Sequence, residues 1–400
     1  MRKQLLAVIA AGTVACQQDG GAPTGPGSEV RDSAGIRIVE NARPADGSRL
    51  GWRVGPEPTV SIGVLEGEEP YMLHWVADAT RLPDGRIAVA NGGTEEVRVF
   101  DGDGHHLTTW GGEGGGPREF MSLVGVDQWP GDSIAAWYGA GLGVSIFNSE
   151  GVFARTLFLR SDQSVNWLRP WPEAVREDGS LMSRRELEED LSVVVEVWDG
   201  AGSLSASLGR HPGDEVILTT NDRGSRVMTH IAYGRRLVRG LWGDLVVVSP
   251  TSSYEIRAFR EDGTLDRIVR REHSPRVPVE ADRVPYIEDV MVDYRAADVP
   301  EPVMAAVRRE FETVPLAKFF PAFTSVMTDA TGHLWVEEYE FPREERPGVL
   351  WTVFDPTGRV LGFVETPEGL EIFEIGEDYI LGSTEDEFEV EYVQMWPLER

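Results

Sequence analysis

The chain has 400 residues, of which 41% are hydrophobic, so it is long enough to bury a large core. Its 67 acidic residues outnumber the 38 basic ones and give a formal net charge of −29, which repels nucleic acid and excludes it as a partner. Such a surface serves solubility alone, or it attracts cations or basic partners.

The first residues have the pattern of an export signal. Arg2-Lys3 is positively charged, and Leu5–Ala11 is an apolar run too short to span a membrane. The following Thr13-Val14-Ala15-Cys16 resembles the lipobox of bacterial lipoproteins, in which cleavage precedes a cysteine that carries lipid, although Thr13 stands where that family prefers Leu. The resemblance implies a signal peptide over residues 1–15 and lipidation of Cys16. The alternative is an ordinary signal peptide with an incidental cysteine.

Residues 16–35 are predicted to form a flexible tether, because Gln17–Ser28 is rich in Gln, Gly and Pro and has no apolar periodicity. Cys16 is the only cysteine, so no disulfide can form within the chain. No later run is long and apolar enough to span a bilayer, so we expect membrane contact through the lipid anchor only. Under the usual lipoprotein rule, Gln17 indicates sorting to the outer membrane. The sequence does not indicate which face of that membrane the chain occupies.

From residue 36 onwards the chain repeats one unit. An aromatic residue followed four positions later by Gly marks a tight turn between two alternating strands, and it recurs at Phe100, Phe147, Trp198, Phe259 and Phe354. A Gly- or Asp-containing turn opens the preceding strand, and it recurs ahead of Ile87, Ile134, Leu181, Leu245, Leu334 and Ile380. Six copies of a four-stranded unit predict an all-β, six-bladed β-propeller with antiparallel blades over residues 36–400.

Two stretches depart from this repeat. The sixth unit lacks a fourth strand, and Thr59–Gly63 alternates in the same way as the outer strand at Leu107–Gly111, so we expect a strand at about 57–63 to close the ring. The last two aromatic markers lie 95 residues apart, and helical apolar spacing between them predicts a short helical insertion at about 276–321, between blades 4 and 5. The insertion is either a lid over the channel mouth or a packed structural excursion.

Two motifs resemble those of NHL-type six-bladed propellers among bacterial lipoproteins. They are the start at Asp32–Asn41 and the crossover Gly116-Pro117-Arg118-Glu119-Phe120, in which Arg118 replaces a Gly of the family pattern. The resemblance covers most of the chain except the helical insertion and the degenerate third and fourth units. It implies the fold and hardly any activity, because propellers host many functions.

Related gluconolactonase-like hydrolases hold a calcium ion in the central channel, and hard oxygen ligands suit this ion. The resemblance makes metal candidates of four acidic residues on or near innermost strands, although the three Asp lie at different distances from their turn markers and do not share one level: Asp78, Asp127, Asp329 and Glu371. No other cofactor is indicated. Trp75, Trp167 and Trp171 are either packing residues or the lining of a mouth for sugars or peptides.

The sequence contains no zinc-ligand spacing and no Gly-x-Ser-x-Gly elbow, and its single cysteine is assigned to lipid. The predicted function is therefore a binding and interaction scaffold, exported and lipid-anchored, for an envelope protein or a small ligand. The alternative is a calcium-dependent lactonase- or esterase-like hydrolase that uses channel carboxylates, and a purely structural envelope component is a third possibility. The sequence does not identify the ligand or partner.

Overall fold

The structure is a computed structural model that describes residues 27–139, 143–160, 169–187, 190–220, 224, 226–296 and 299–400. The signal peptide over 1–15, Cys16 with most of the predicted tether, and Trp167 lie outside the described residues. The described chain forms a six-bladed β-propeller, as the repeats predict.

Four strands precede the first complete blade: β1 (Ser28–Ser33), β2 (Ile36–Asn41), β3 (Arg53–Val54) and β4 (Val60–Ile62). Blades 1, 2 and 3 each contain four consecutive antiparallel strands. These are β5 (Val76–Arg81), β6 (Ile87–Asn91), β7 (Glu96–Phe100) and β8 (His106–Gly111); β9 (Leu123–Trp129), β10 (Ser133–Tyr138), β11 (Gly143–Phe147) and β12 (Phe153–Leu157); and β13 (Trp171–Val175), β14 (Leu181–Glu186), β15 (Val193–Trp198) and β16 (Leu204–His211).

A two-stranded hairpin and two helices interrupt the later blades. The remaining elements are β17 (Val216–Thr220) and β18 (Arg226–His230); β19 (Leu237–Trp242), β20 (Leu245–Pro250), β21 (Glu255–Phe259) and β22 (Leu265–Arg271) of blade 4; α1 (Arg283–Ala296) and α2 (Glu301–Phe311); β23 (Phe323–Thr328), β24 (Leu334–Glu338), β25 (Gly348–Phe354) and β26 (Val360–Pro367) of blade 5; and β27 (Glu371–Ile375), β28 (Tyr379–Glu385) and β29 (Glu391–Glu399) of blade 6. Short 3-10 helices occupy Glu69–Tyr71 and Glu280–Asp282.

The turn after each third strand explains why the aromatic marker recurs. In blade 1, Phe100 is fully buried, and the Asp101 carboxylate accepts the backbone N–H groups of Asp103 at 3.0 Å and His105 at 2.8 Å. The turn then needs a left-handed residue, which Gly104 supplies with φ of 86°. Asn148, Asp199 and Asp355 accept the same pair of N–H groups in blades 2, 3 and 5.

The ring closes through the N-terminal segment. Strand β4 pairs antiparallel with β29, with Val60 opposite Met395 and Ile62 opposite Val393. It thereby supplies the outer strand of blade 6, and β3 pairs further along the same strand. Ile62 is 1% exposed and packs among residues of blades 1 and 6, so closure buries apolar surface as well as pairing an edge.

The predicted tether extends too far. Residues 28–33 form β1, which pairs over its whole length with β2 across a turn at Ala34 and Gly35, both with positive φ. Strand β2 then pairs in parallel with β22 and enlarges blade 4 to six strands. Two consecutive left-handed residues form a tight hairpin turn, so this stretch is structured although its sequence is polar.

The helical insertion lies where the sequence predicts it. Ile287 and Met291 of α1 are buried, and Arg308 of α2 contacts Glu288 of α1 at 2.7 Å. A parallel bridge between Ala232 and Leu316 attaches the end of the insertion to the loop that leads into blade 4.

The two faces of the ring carry different loops. One side carries the connections between blades and the loops between second and third strands, and we call it the crossover face. It comprises the described residues within 63–75, 92–95, 112–122, 158–170, 187–192, 212–236, 251–254, 272–322, 339–347, 368–370 and 386–390. The opposite side, the turn face, carries the tight turns within each blade.

Candidate functional site

The central channel contains two cavities, which share Val326. One of them, which we call the upper cavity, has a volume of about 380 Å³ and is lined by blades 3, 4 and 5 and by the β17–β18 hairpin. The other, which we call the lower cavity, has a volume of about 530 Å³ and is lined by the innermost strands. Its described lining includes Asp78, Asp127, Glu173, Asp329 and Glu374, and no Lys, Arg or His.

Asp78 and Asp127 link neighbouring innermost strands. Asp78 Oδ2 accepts the N–H of Val126 in blade 2 at 3.1 Å, and Asp127 Oδ2 accepts the N–H of Val175 in blade 3 at 3.3 Å. The other oxygen of each carboxylate accepts the N–H of the next residue in its own strand. Each carboxylate therefore joins two blades, which is a structural role that needs no ligand.

Glu374 is a channel carboxylate that the sequence reasoning missed. Its Oε2 accepts the Thr80 hydroxyl at 2.8 Å and the Arg81 N–H at 3.0 Å, which joins blade 6 to blade 1, and its Oε1 accepts the Tyr379 hydroxyl. The strand pairing is irregular between Ile372 and Glu374, and this bulge changes the direction of the following side chains. Strict alternation from Glu371 does not predict it.

The pKa values of the two aspartates reflect this environment. Burial raises the pKa of Asp127 to about 7, and the nearby Glu374 charge adds to the effect, against the hydrogen bonds from Gln128 and Val175. Burial also raises the pKa of Asp78 well above its ordinary value, and the negative charges of Asp127 and Glu374 contribute. The lower cavity therefore holds protons near neutral pH, or it favours a cation that replaces them.

An ion-pair group separates the two cavities. Glu173 forms a bidentate pair with Arg239, with both distances 2.8 Å, and it also contacts Arg184 at 3.0 Å. Since Glu173 lines the lower cavity and both arginines line the upper one, the positive and negative groups neutralise each other at the boundary.

Of the other two metal candidates, Asp329 also lines the lower cavity, but neighbouring side chains engage its carboxylate, and Glu371 is not among the cavity's described lining residues. The Asp329 side chain is fully buried and accepts hydrogen bonds from Trp335 at 3.0 Å and from Thr331, with Arg400 at 2.9 Å. Burial alone would raise the pKa of Asp329, but hydrogen bonding from His333, Trp335 and Thr331 outweighs this effect and lowers the pKa. Glu371 is exposed as a whole residue, but its carboxyl is partly desolvated. This desolvation raises the pKa of Glu371, and the negative charges of Glu391 and Glu385 add to the effect.

Within the described chain, one group of three acidic or histidine side chains has ligand atoms within 4.8 Å of one another: Asp101, Asp103 and His105. This group lies in the outer turn of blade 1, and two of its residues are exposed. Asp78, Asp127 and Glu374 do not form such a group. Asp78 lies opposite Ala90 and Asp127 opposite Ala135, which are not equivalent levels of their blades.

Exposed apolar residues are concentrated on the crossover face. Among the described large hydrophobic residues that are exposed, all but Leu107, Val152 and Leu204 lie there. Five of them belong to loops of blades 6, 1 and 2, and we call them the loop patch: Leu65, Met72, Trp75, Met121 and Phe388. Exposed apolar residues grouped on one face commonly mark an interaction surface.

Trp75 is the most exposed member of the loop patch, with 75% of its surface accessible. Its φ of 58° is left-handed, an unfavourable conformation for a bulky residue. In blade 2 the equivalent position before the innermost strand is Ser122, with φ of 64°, so the fold needs the backbone conformation and not the indole. Trp171, by contrast, is half-buried, with Arg184 5.8 Å from its ring centre.

Hydrogen bonds hold the backbone around Trp75. Its carbonyl accepts the Gly92 N–H at 2.9 Å, and the His74 carbonyl accepts the Gly93 N–H at 2.8 Å. The Val76 N–H donates to Glu391 Oε1 of blade 6 at 3.0 Å. The indole is therefore presented to solvent from a fixed backbone.

Comparisons with solved structures support the fold alone. A protein from Bacteroides fragilis described as exported has 13% identity and a TM-score of 0.50, over 90% of this chain and 99% of that chain. A member of the DUF4221 family from Bacteroides vulgatus has 9% identity and a TM-score of 0.50, over 88% and 100% of the two chains. A gluconolactonase from Xanthomonas campestris has 15% identity over 96% and 100%, but its TM-score of 0.39 carries no functional argument. No protein-family model and no curated protein matches the sequence.

None of the helices in the described part of the chain is long and apolar enough to cross a membrane.

Proposed function

We propose that this chain is an exported, lipid-anchored β-propeller of the bacterial envelope, of the NHL type, which binds another envelope protein through the loop patch. The observation that carries the proposal is Trp75, an exposed indole on a strained and hydrogen-bonded backbone, at a position where blade 2 has a serine. A large aromatic side chain that loses little freedom on binding is a typical hot spot of protein interfaces. The lipobox supports export and anchoring through Cys16, with the outer membrane as its destination.

The test compares Trp75→Ser with the wild-type chain. Serine occurs at the equivalent position of blade 2, so the variant should fold with the same melting temperature. Loss of a central aromatic contact typically costs about 2 kcal/mol or more, which corresponds to an approximately 30-fold weaker Kd. Val152→Ser, on the turn face, is the matched control, because Val152 is also an exposed apolar residue.

Cross-linking in intact envelopes would identify proteins that the wild type and the Val152→Ser control retain and the Trp75→Ser variant loses. The purified candidate would then be titrated against all three chains. Equal binding by all three would contradict the loop patch as the site. Absence of any retained protein would favour a purely structural role.

The second candidate function is a calcium-dependent lactonase- or esterase-like hydrolase in the lower cavity. Five acidic residues, and no Lys, Arg or His, among its described lining residues favour it, since calcium binds carboxylate oxygens. Against it, both oxygens of Asp78 and Asp127 accept backbone N–H groups, and these carboxylates do not converge at one level. Metal analysis after dialysis tests the site directly: about one calcium per chain, lost in the Asp78→Asn/Asp127→Asn variant, would support the hydrolase.

A further inference from the structure

The helical insertion carries a second group of exposed apolar residues, away from the loop patch. Five valines are exposed on the insertion, and we call them the valine patch: Val277, Val279, Val284, Val292 and Val303. Val284 is the most exposed of them, at 65%. None of the eleven residues of α2 is buried, so this helix is not a component of the propeller core.

Five charged residues among these valines form ion pairs, whereas Asp289 and Glu301 are in no ion pair with another described residue. Glu280 contacts Arg283 at 2.6 Å, and Glu288 contacts Arg295 at 2.6 Å and Arg308 at 2.7 Å. Moving a paired carboxylate from water towards an apolar medium costs less free energy than moving an isolated one. The valine patch is therefore a surface that an apolar environment can cover without isolating a charge from this set.

The described chain begins beside this insertion. The Gly27 carbonyl accepts the Ala42 N–H, and the Asn41 carbonyl accepts the N–H of Glu272, where the connection into the insertion starts. Two strand spacings, about 10 Å in total, therefore separate Gly27 from the base of the insertion. Both lie on the crossover face, because Asn41 pairs with Arg271 at the end of β22.

The length of the tether limits which face can meet the membrane. Eleven residues lead from Cys16 to Gly27. Eleven residues span at most about 40 Å. A lipid on Cys16 would therefore lie within about 40 Å of the crossover face at blade 4, and the valine patch belongs to the insertion whose base is about 10 Å from Gly27.

We propose that the valine patch docks onto the bilayer to which Cys16 is anchored, and that it places the crossover face, with the loop patch, against the membrane. The inference rests on the proposed lipid anchor. The bilayer surface it fits is zwitterionic, because a net charge of −29 is repelled by anionic lipid. The partner on the loop patch would then lie in the membrane or at its surface.

The experiment uses the single native cysteine. Once Cys16 carries lipid, one introduced cysteine is the only free thiol in the full chain. Val284→Cys is labelled with an environment-sensitive fluorophore, and Val152→Cys on the turn face is the matched control, with similar exposure of 60%. The lipidated proteins are inserted into phosphatidylcholine vesicles that contain nitroxide-labelled lipid. Val303→Cys is a second probe in case Val284→Cys lowers the melting temperature.

We expect a blue shift and quenched emission at position 284 and neither effect at position 152. Equal emission at the two positions, on protein whose acylation is verified by mass, would overturn docking and leave the anchored scaffold intact. A label at 284 that is protected in whole envelopes but not quenched in vesicles would also overturn it, in favour of a protein occupant. A mature chain without acyl mass would overturn both the anchor and the docking.

Discussion

Replacing Asp127 with Asn should change how the stability of the propeller depends on pH. The folded pKa of Asp127 is about 7, whereas an aspartate in an unfolded chain titrates near 3.9. Between these values the folded state binds a proton that the unfolded state does not, so this residue makes stability fall as pH rises. Integrated from pH 5 to pH 8, the loss is about 2–3 kcal/mol of unfolding free energy.

Asp127→Asn removes this titration, so the variant should lose less stability than the wild type over the same interval. Its absolute stability changes as well, because an amide can accept only one of the two backbone N–H groups that the carboxylate accepts. The informative quantity is therefore the difference between pH 5 and pH 8. Urea unfolding followed by tryptophan fluorescence at both pH values measures it, and Asp132→Asn, in an exposed turn, controls for the loss of one negative charge.

If Asp127→Asn and the wild type lost the same stability between pH 5 and pH 8, burial would not govern this carboxylate. The lower cavity would then be open to water, and the case for proton or cation retention in the channel would fail. If Asp132→Asn and Asp127→Asn both lost less stability than the wild type between pH 5 and pH 8, and by the same amount, the cause would be the overall charge of the chain instead.

Two further predictions concern the ring. Ile62→Ala should lower the unfolding free energy by about 2–5 kcal/mol, because the Ile62 side chain is buried between blades 1 and 6. Ser61→Ala on the same strand should change it by less than about 0.5 kcal/mol, and equal urea midpoints for the two variants would contradict the prediction. Glu338→Gln should lower the unfolding free energy by about 3–5 kcal/mol, because it leaves the fully buried Arg271 without its carboxylate partner. Glu344→Gln removes a more exposed partner of Arg346 and should lower it by about 1 kcal/mol or less. Calorimetric melting of both variants tests the difference.

The propeller was predictable because its pattern is local and repeated. In blades 1, 2, 3 and 5 a large buried aromatic residue ends the third strand and an Asp or Asn turn follows it directly, so that both lie within a few residues of one another. Phe100, Phe147, Trp198 and Phe354 are buried in this position. The six turns that open the second strands then give the number of blades.

The enlargement of blade 4 left no comparable signal. Strand β2 pairs in parallel with β22, some 230 residues later, and no short-range pattern specifies a partner so distant. Polar residues in β1 also favoured assignment to the tether. Only the turn at Ala34-Gly35 indicated a hairpin.

Bulges limited what the sequence could indicate about the channel. Asp78, Asp127 and Asp329 were candidates and do line the lower cavity, but the sequence proposed Glu371 from blade 6 where the structure has Glu374. Irregular pairing before Asp78 and before Glu374 shifts the register, and side-chain counting assumes that no such shift occurs. The raised pKa values follow from burial and from neighbouring blades, which a linear pattern does not contain.

The N-terminal segment 28–62 contacts three blades in succession. Strand β2 pairs with blade 4, the Leu50 N–H donates to Phe363 of blade 5 and β4 pairs with blade 6. A ribosome produces this segment before its partners, which lie as much as 346 residues later and correspond to a delay of tens of seconds at about 5–20 residues per second. During that interval its strand edges are unpaired and prone to association with other chains. The synthesis of β29 therefore decides when β3 and β4 can pair.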